Sequence, residues 1–312
     1  MIPKTEIRNM LSNVILKEER GVAGVKYRKA LDDIVSYCME YVKTKPKMFV
    51  NGFDYTIPIP GNLLSPFDFV EGLNMTIYLK SYVYGDRMSG SGNTQINQDD
   101  YITPDGKLKN IFINVYGYFY EDRIFTRTLL TSLYHEINHC IDFQSRKNNK
   151  SVIEVPLNTN EKYNVIFRES VFSYNQEVDT YFKQLFYRLF IPTERRALVS
   201  SVYGDLKSID SKRTNFYKDI LNTQAGKLLY DFSDNLDINI GYSSIESLKT
   251  CCQKLNVNGI SFTEIGDFLS SFKRRVLEEI RKTWKDVGRA ASLWYDEQEE
   301  FDVLKEGLIK IF

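Results

Sequence analysis

A chain of 312 residues that is 43% hydrophobic and 14% aromatic is long enough for one large domain or two medium ones, and its composition is globular rather than disordered. Lys+Arg and Asp+Glu both number 41, a formal net charge of zero, which argues against nucleic acid or anionic membrane as a partner drawn by overall charge. No apolar run reaches about 18 residues and the first residues lack a signal-peptide core, so the sequence predicts a cytoplasmic protein with no membrane span.

Residues 4–44 read as helical, with Leu11, Val14, Ile15, Leu31, Ile34, Val35 and Cys38 recurring at three- and four-residue steps. Gly21 and Gly24 are candidate break points, and Lys45-Pro46-Lys47 is a plausible stop. From residue 48 to about 120, prolines and glycines punctuate short aromatic and β-branched runs. Strands are expected over 74–84 and 111–116, with Pro104-Asp105-Gly106 as a turn and 85–100 as a polar loop, a possible cover for a cleft.

A helix is then expected from about residue 121 to 146, with Leu129, Leu130, Leu133, Ile137, Cys140 and Phe143 as its core stripe. It carries the sequence Leu133-Tyr134-His135-Glu136-Ile137-Asn138-His139, which contains H-E-x-x-H. The chain has only two histidines, and both are in this motif. Four residues apart on a helix, they lie on one face about 6 Å apart along the axis and are able to converge on one Zn²⁺. Glu136, beside that face, is the candidate general base for a metal-activated water.

Two histidines hold zinc poorly, so a third protein ligand is required. No histidine remains, which leaves a carboxylate or, second to it, a thiolate. Asp142 is too far along the helix to ligate and is instead a candidate for orienting a ligand histidine. Helices are expected over 170–190 and from 194 to about 206, separated by Ile191-Pro192-Thr193, with Thr193 as an N-cap. They carry Glu177 and Glu194, with Glu169 just upstream. Glu177 shares a face with Thr180, Tyr181, Gln184 and Arg188, a solvated pattern. Glu194 shares its face with Ala197, Leu198 and Ser201, small enough to allow close packing on the histidine helix. Glu194 is the preferred third ligand and Glu177 the main alternative, with Glu169 behind it. Tyr203, on the same predicted helix as Glu194, is one candidate for steadying an oxyanion.

From 209 onward the pattern is helical again, with turns at 238–243 and 256–259 and its most regular stretch at 268–296. Cys38, Cys140, Cys251 and Cys252 form neither a disulfide framework nor a C-x-x-C zinc pattern, and buried reduced thiols fit a reducing compartment. Lys273-Arg274-Arg275 reads as a solvated helix face. The division expected is N-terminal helices (1–47), a catalytic core (48–208) and a helical C-terminal subdomain (209–312), whose helices offer a surface to a protein partner.

With His135-Glu136-x-x-His139 and a carboxylate on a later helix, the chain resembles the zincin metallopeptidases, in particular the glutamate-ligand branch, the gluzincins. Leu189–Ala197 also resembles the ligand region of zincin-like proteins from phages and gut bacteria. The resemblance implies an α+β fold: a small, mostly antiparallel sheet whose edge strand binds an extended substrate, followed by the two ligand-bearing helices. By it, 111–116 is the candidate edge strand. It implies a zinc-dependent peptidase acting on a peptide or protein, with His135, His139 and Glu194 on the metal and Glu136 as base. The rival from another class is a non-catalytic interaction or regulatory protein that keeps zinc as a structural element.

Overall fold

The computed structural model describes residues 2–17, 22–44, 54–64, 74–81, 91–95, 110–117, 130–139, 159–208, 216–240 and 245–296. Helices α1 (Lys4–Lys17) and α2 (Val22–Lys43) open the chain. Strand β1 (Asp54–Ile59), the short helix α3 (Gly61–Leu64), and strands β2 (Asn74–Ser81), β3 (Ser91–Gln95) and β4 (Asn110–Gly117) follow. Helix α4 covers 130–139. Then come α5 (Thr159–Glu169), α6 (Gln176–Phe190), α7 (Pro192–Ser208), α8 (Phe216–Asn222), α9 (Gln224–Asn239), α10 (Ile245–Lys254) and α11 (Ile265–Asp296). The architecture is α+β, mostly helical with one small mixed sheet.

The chain divides into two compact units. One comprises Met1–Glu18, Asn158–Val202 and Ser211–Phe312. It is organised on α11, whose Phe268, Phe272, Val276, Ile280, Trp284 and Val287 recur at helical spacing and are all fully buried. Against that stripe pack α1, α6, α8, α9 and α10. Aromatic rings fill much of the space: Phe172 stacks on Phe186 at 5.5 Å, and Phe186 reaches Phe272 at 5.9 Å. The turn before α11 holds Asn256 at φ 52° and Gly259 at φ 81°, left-handed backbone that suits these two residue types.

The other unit comprises Glu19–Leu157 and Tyr203–Asp210. Its sheet has strand order β1-β2-β4-β3. The β1–β2 and β3–β4 pairings are antiparallel and β2–β4 is parallel. The register aligns Ile57 with Ile77 and Ile77 with Ile113, and all three are fully buried, so one face of the sheet is a wall of the core. Helix α2 packs against β1 and α3.

Several boundaries differ from the expectation. Helix α1 ends at Lys17 and α2 begins at Val22, so Gly24 sits inside α2, while Gly21 lies outside the described residues. Strand 111–116 is not an edge: β4 lies between β2 and β3, and β3 is the edge on that side. Part of the expected 85–100 loop is therefore a strand, and its sequence Ser-Gly-Asn-Thr-Gln hides it. An edge strand needs no alternating apolar side chains when its pairing comes from the neighbouring backbone. Thr193 is not the cap of α7. The helix starts at Pro192, in the first-turn position where a missing N–H costs nothing, and Arg195 N–H donates to the Ile191 carbonyl at 3.0 Å. Cys140, Asp142 and Phe143 lie outside the described residues.

Candidate metal centre

Helix α4 buries Leu130, Leu133, Tyr134 and Ile137, the three- and four-residue spacing of an amphipathic helix. That stripe fixes the rotation of α4 and leaves His135 and His139 half-buried on another face. Their rings stand at 81° to each other with centroids 4.9 Å apart, and the two Nε2 atoms approach to 3.3 Å. A tetrahedral zinc with Zn–N bonds of 2.0–2.1 Å spaces two of its nitrogens by about 3.4 Å. Both rings turned inward through Nε2 leave each Nδ1 for an outer hydrogen-bond acceptor, the arrangement of ligating imidazoles. Without a cation, two facing lone pairs repel unless one ring carries its proton on Nε2 and donates it to the other.

The third group is Glu194. One nitrogen from each histidine and one oxygen of Glu194 all lie within 4.8 Å of one another. Glu194 is 2% exposed, and burial of a carboxylate is costly without a cation or metal to compensate it. The neighbours on its face, Ala197, Leu198 and Ser201, are buried as expected. Two imidazoles and a carboxylate, a nitrogen-and-oxygen set, are the donors zinc takes in sites that keep one position open. The residues present fit a divalent metal ion.

The helix bearing Glu194 is set against α4 further along. Gly204 on α7 meets α4 so closely that a Cβ there would lie 2.9 Å from the backbone carbonyl of Leu130 and 2.8 Å from the Tyr134 ring. Only glycine permits this approach. Tyr134 and Tyr203 make an edge-on ring pair at 5.2 Å, and the Thr131 hydroxyl donates to Asp205 at 3.3 Å.

Asp32 of α2 ties this end together. Its carboxylate accepts from the hydroxyls of Tyr134 and of Tyr203, the latter at 3.0 Å, and it pairs with Lys207 at 3.1 Å. Tyr203, a candidate oxyanion donor from sequence, is thereby engaged: buried, its hydroxyl on Asp32 and Lys207 over its ring at 4.8 Å. Nothing in the sequence singles out Asp32: with Lys29 three and Arg28 four residues before it, it reads as one half of an ordinary surface ion pair on a helix.

Glu136 sits in the same turn as His135, is 4% exposed, and stands outside the three-ligand group. Glu177 and Glu169 do not join that group either. Glu177 is exposed in the first turn of α6, where Asn175 caps its N–H at 2.9 Å. Glu169, also exposed, pairs with Lys254 at 3.1 Å. Sequence reasoning missed Arg188, which it read as solvated. Its Nη1 donates to Glu194 Oε2 at 3.0 Å. Arg275, read as part of a solvated run, instead joins Arg195 on the buried Glu279.

Burial pushes the Cys251 thiol up to about 12 and raises those of Cys38 and Cys252 as well, so all three stay protonated and are poor metal ligands at neutral pH. No described helix is long and apolar enough to cross a membrane. Comparison with known protein families, curated proteins and solved structures gives no match.

Proposed function

We propose that this chain is a zinc-dependent metallopeptidase of zincin type, acting on a peptide or protein. The observation that carries the reading is the 3.3 Å approach of the two Nε2 atoms beside a buried glutamate on a second helix. The H-E-x-x-H order supports it by setting a second, non-ligating carboxylate next to the first ligand. The mixed sheet agrees with it. Among the described strands β3 lies at the edge of the sheet, the position at which an extended chain joins a sheet through the backbone.

His135 and His139, as neutral imidazoles, and Glu194 would hold a zinc ion, which would supply a Lewis acid and lower the pKa of a bound water. Glu194 adds one negative charge to the ligand set. Glu136 takes the proton of the attacking water on its carboxylate and returns it to the leaving amine nitrogen. Its burial keeps bulk water from competing for that proton.

The test pairs metal content with cleavage of a mixed peptide library. Glu136→Gln is expected to lower cleavage on the order of 10²–10⁴-fold while zinc content stays that of the wild type. Cleavage at the wild-type rate by Glu136→Gln contradicts the mechanism. Stoichiometric zinc with no cleavage, and unfolding on chelation, favours the rival reading of a zinc-stabilised interaction protein.

A further inference from the structure

Arg188 lies in the last turn of α6 and Glu194 in the first turn of α7, six residues apart across the corner at Ile191 and Pro192. The corner is fixed. Ile191 is fully buried with φ −94° and ψ 109°, so it ends one helix in an extended conformation while its carbonyl receives the first hydrogen bond of the next. Pro192 prevents α6 from continuing. Across this corner the Arg188 guanidinium reaches Glu194 Oε2 at 3.0 Å, with the glutamate side chain 3% and the arginine side chain 23% exposed. The guanidinium also lies over the ring of Tyr187 at 5.4 Å, which limits its wandering. The cation next to Glu194 in sequence, Arg195, is committed to Glu279 at 2.6 Å.

A metal-ligating carboxylate needs to be ionised and to present a defined oxygen. A glutamate has three rotatable bonds, and an unheld carboxylate presents no single oxygen direction to its neighbours. We propose that Arg188 is the positioning residue of this metal centre. It takes one oxygen of Glu194 at 3.0 Å and so fixes the orientation of the carboxylate that stands beside the two histidines. This inference rests on the reading of His135, His139 and Glu194 as metal ligands. It goes beyond that reading by assigning an outer residue on which the affinity of the site depends.

The experiment measures zinc affinity by chelator competition, and the visible absorption of the cobalt(II)-substituted protein, for the wild type, Arg188→Ala, Arg188→Lys, Glu194→Ala and the Arg188→Ala/Glu194→Ala pair. Arg188→Ala is expected to weaken zinc by about 10–100-fold, the usual effect of removing an outer partner of a ligand, and to change the cobalt spectrum. Lysine restores part of the affinity, because it returns the charge without the fork. In the Glu194→Ala background the arginine change costs nothing further, since Arg188 acts through Glu194. If Arg188→Ala does not accumulate folded, Arg188→Gln takes its place with the same expectation.

Unchanged zinc affinity and cobalt spectrum in a folded Arg188 variant overturn the proposal. So does an equal loss with and without Glu194, the behaviour of a residue that only braces the α6–α7 corner. A wild-type protein that binds no zinc defeats the underlying metal site instead, a distinct result.

Discussion

Helices α11 and α7 are both long, and they obey opposite rules. Along α11 every fourth residue or so is a large apolar side chain at zero exposure, from Phe268 to Val287, and its charges sit mostly at the surface. Along α7 the buried positions include Glu194, Ser201 and Asp205, and its closest approach to a neighbour is made by a glycine. Burying a carboxylate costs free energy that burying a phenylalanine returns. The buried carboxylate on α11, Glu279, is paired twice, by Arg195 and Arg275, whereas Glu194 lies beside two histidines. The contrast teaches where to look: a buried carboxylate among other metal-ligating side chains marks the candidate site, and an apolar stripe marks the scaffold.

Substitutions that exchange these roles test the contrast. The largest stability effect is expected on α11. Trp284→Ala opens a cavity that costs about 3–5 kcal/mol. The indole N–H has no hydrogen-bond acceptor among the described residues, and relieving that buried donor returns about 1–3 kcal/mol, which leaves a net loss of about 2 kcal/mol. Thermal unfolding reads the loss, and zinc affinity of the folded variant stays that of the wild type.

Gly204→Ala on α7 is smaller in stability but reaches the metal. The added methyl meets Leu130 backbone that has no rotamer to escape to, an overpacking cost of about 1–3 kcal/mol. Alanine returns about 1 kcal/mol as the better helix former. Overpacking wins, the helices part, and chelator competition is expected to show weaker zinc binding as well as a lower Tm. A variant with lower Tm and unchanged affinity separates the close contact from the metal centre.

Glu177→Gln should do almost nothing. Its side chain is exposed at the start of α6, so its effect on stability falls within about 0.5 kcal/mol. Zinc affinity unchanged by this substitution, measured beside Glu194→Gln, sharpens the choice between the two glutamates that sequence left open.

The histidine pair was legible because helical spacing and motif order coincide in one short stretch, and no other histidine competes. The preference for Glu194 was legible through its neighbours, since the small side chains of Ala197 and Ser201 allow another helix to pack closely on that face, and both are buried. What escaped has a common cause: it is made by partners far apart in the chain or by backbone alone. Arg188 meets Glu194 across a corner whose geometry depends on Ile191 being buried, a fact that appears only in the folded chain. Asp32 finds its tyrosines 102 and 171 residues away. Strand β3 is held by the backbone of β4 and shows no apolar alternation of its own. The Thr193 cap failed because two start signals stood side by side, and the rigid φ of Pro192 won over the hydroxyl next to it.

The central claim is that His135, His139 and Glu194 grip one divalent ion. The most direct measurement is zinc per chain, by mass spectrometry of the metal, with chelator-competition affinity for the wild type and Glu194→Gln. The account predicts about one zinc per wild-type chain and an affinity lowered on the order of 10²-fold or more in the variant, beyond the usual effect of an outer partner. A folded wild-type protein that takes up no zinc, or a Glu194→Gln protein that binds it as tightly as the wild type, contradicts it.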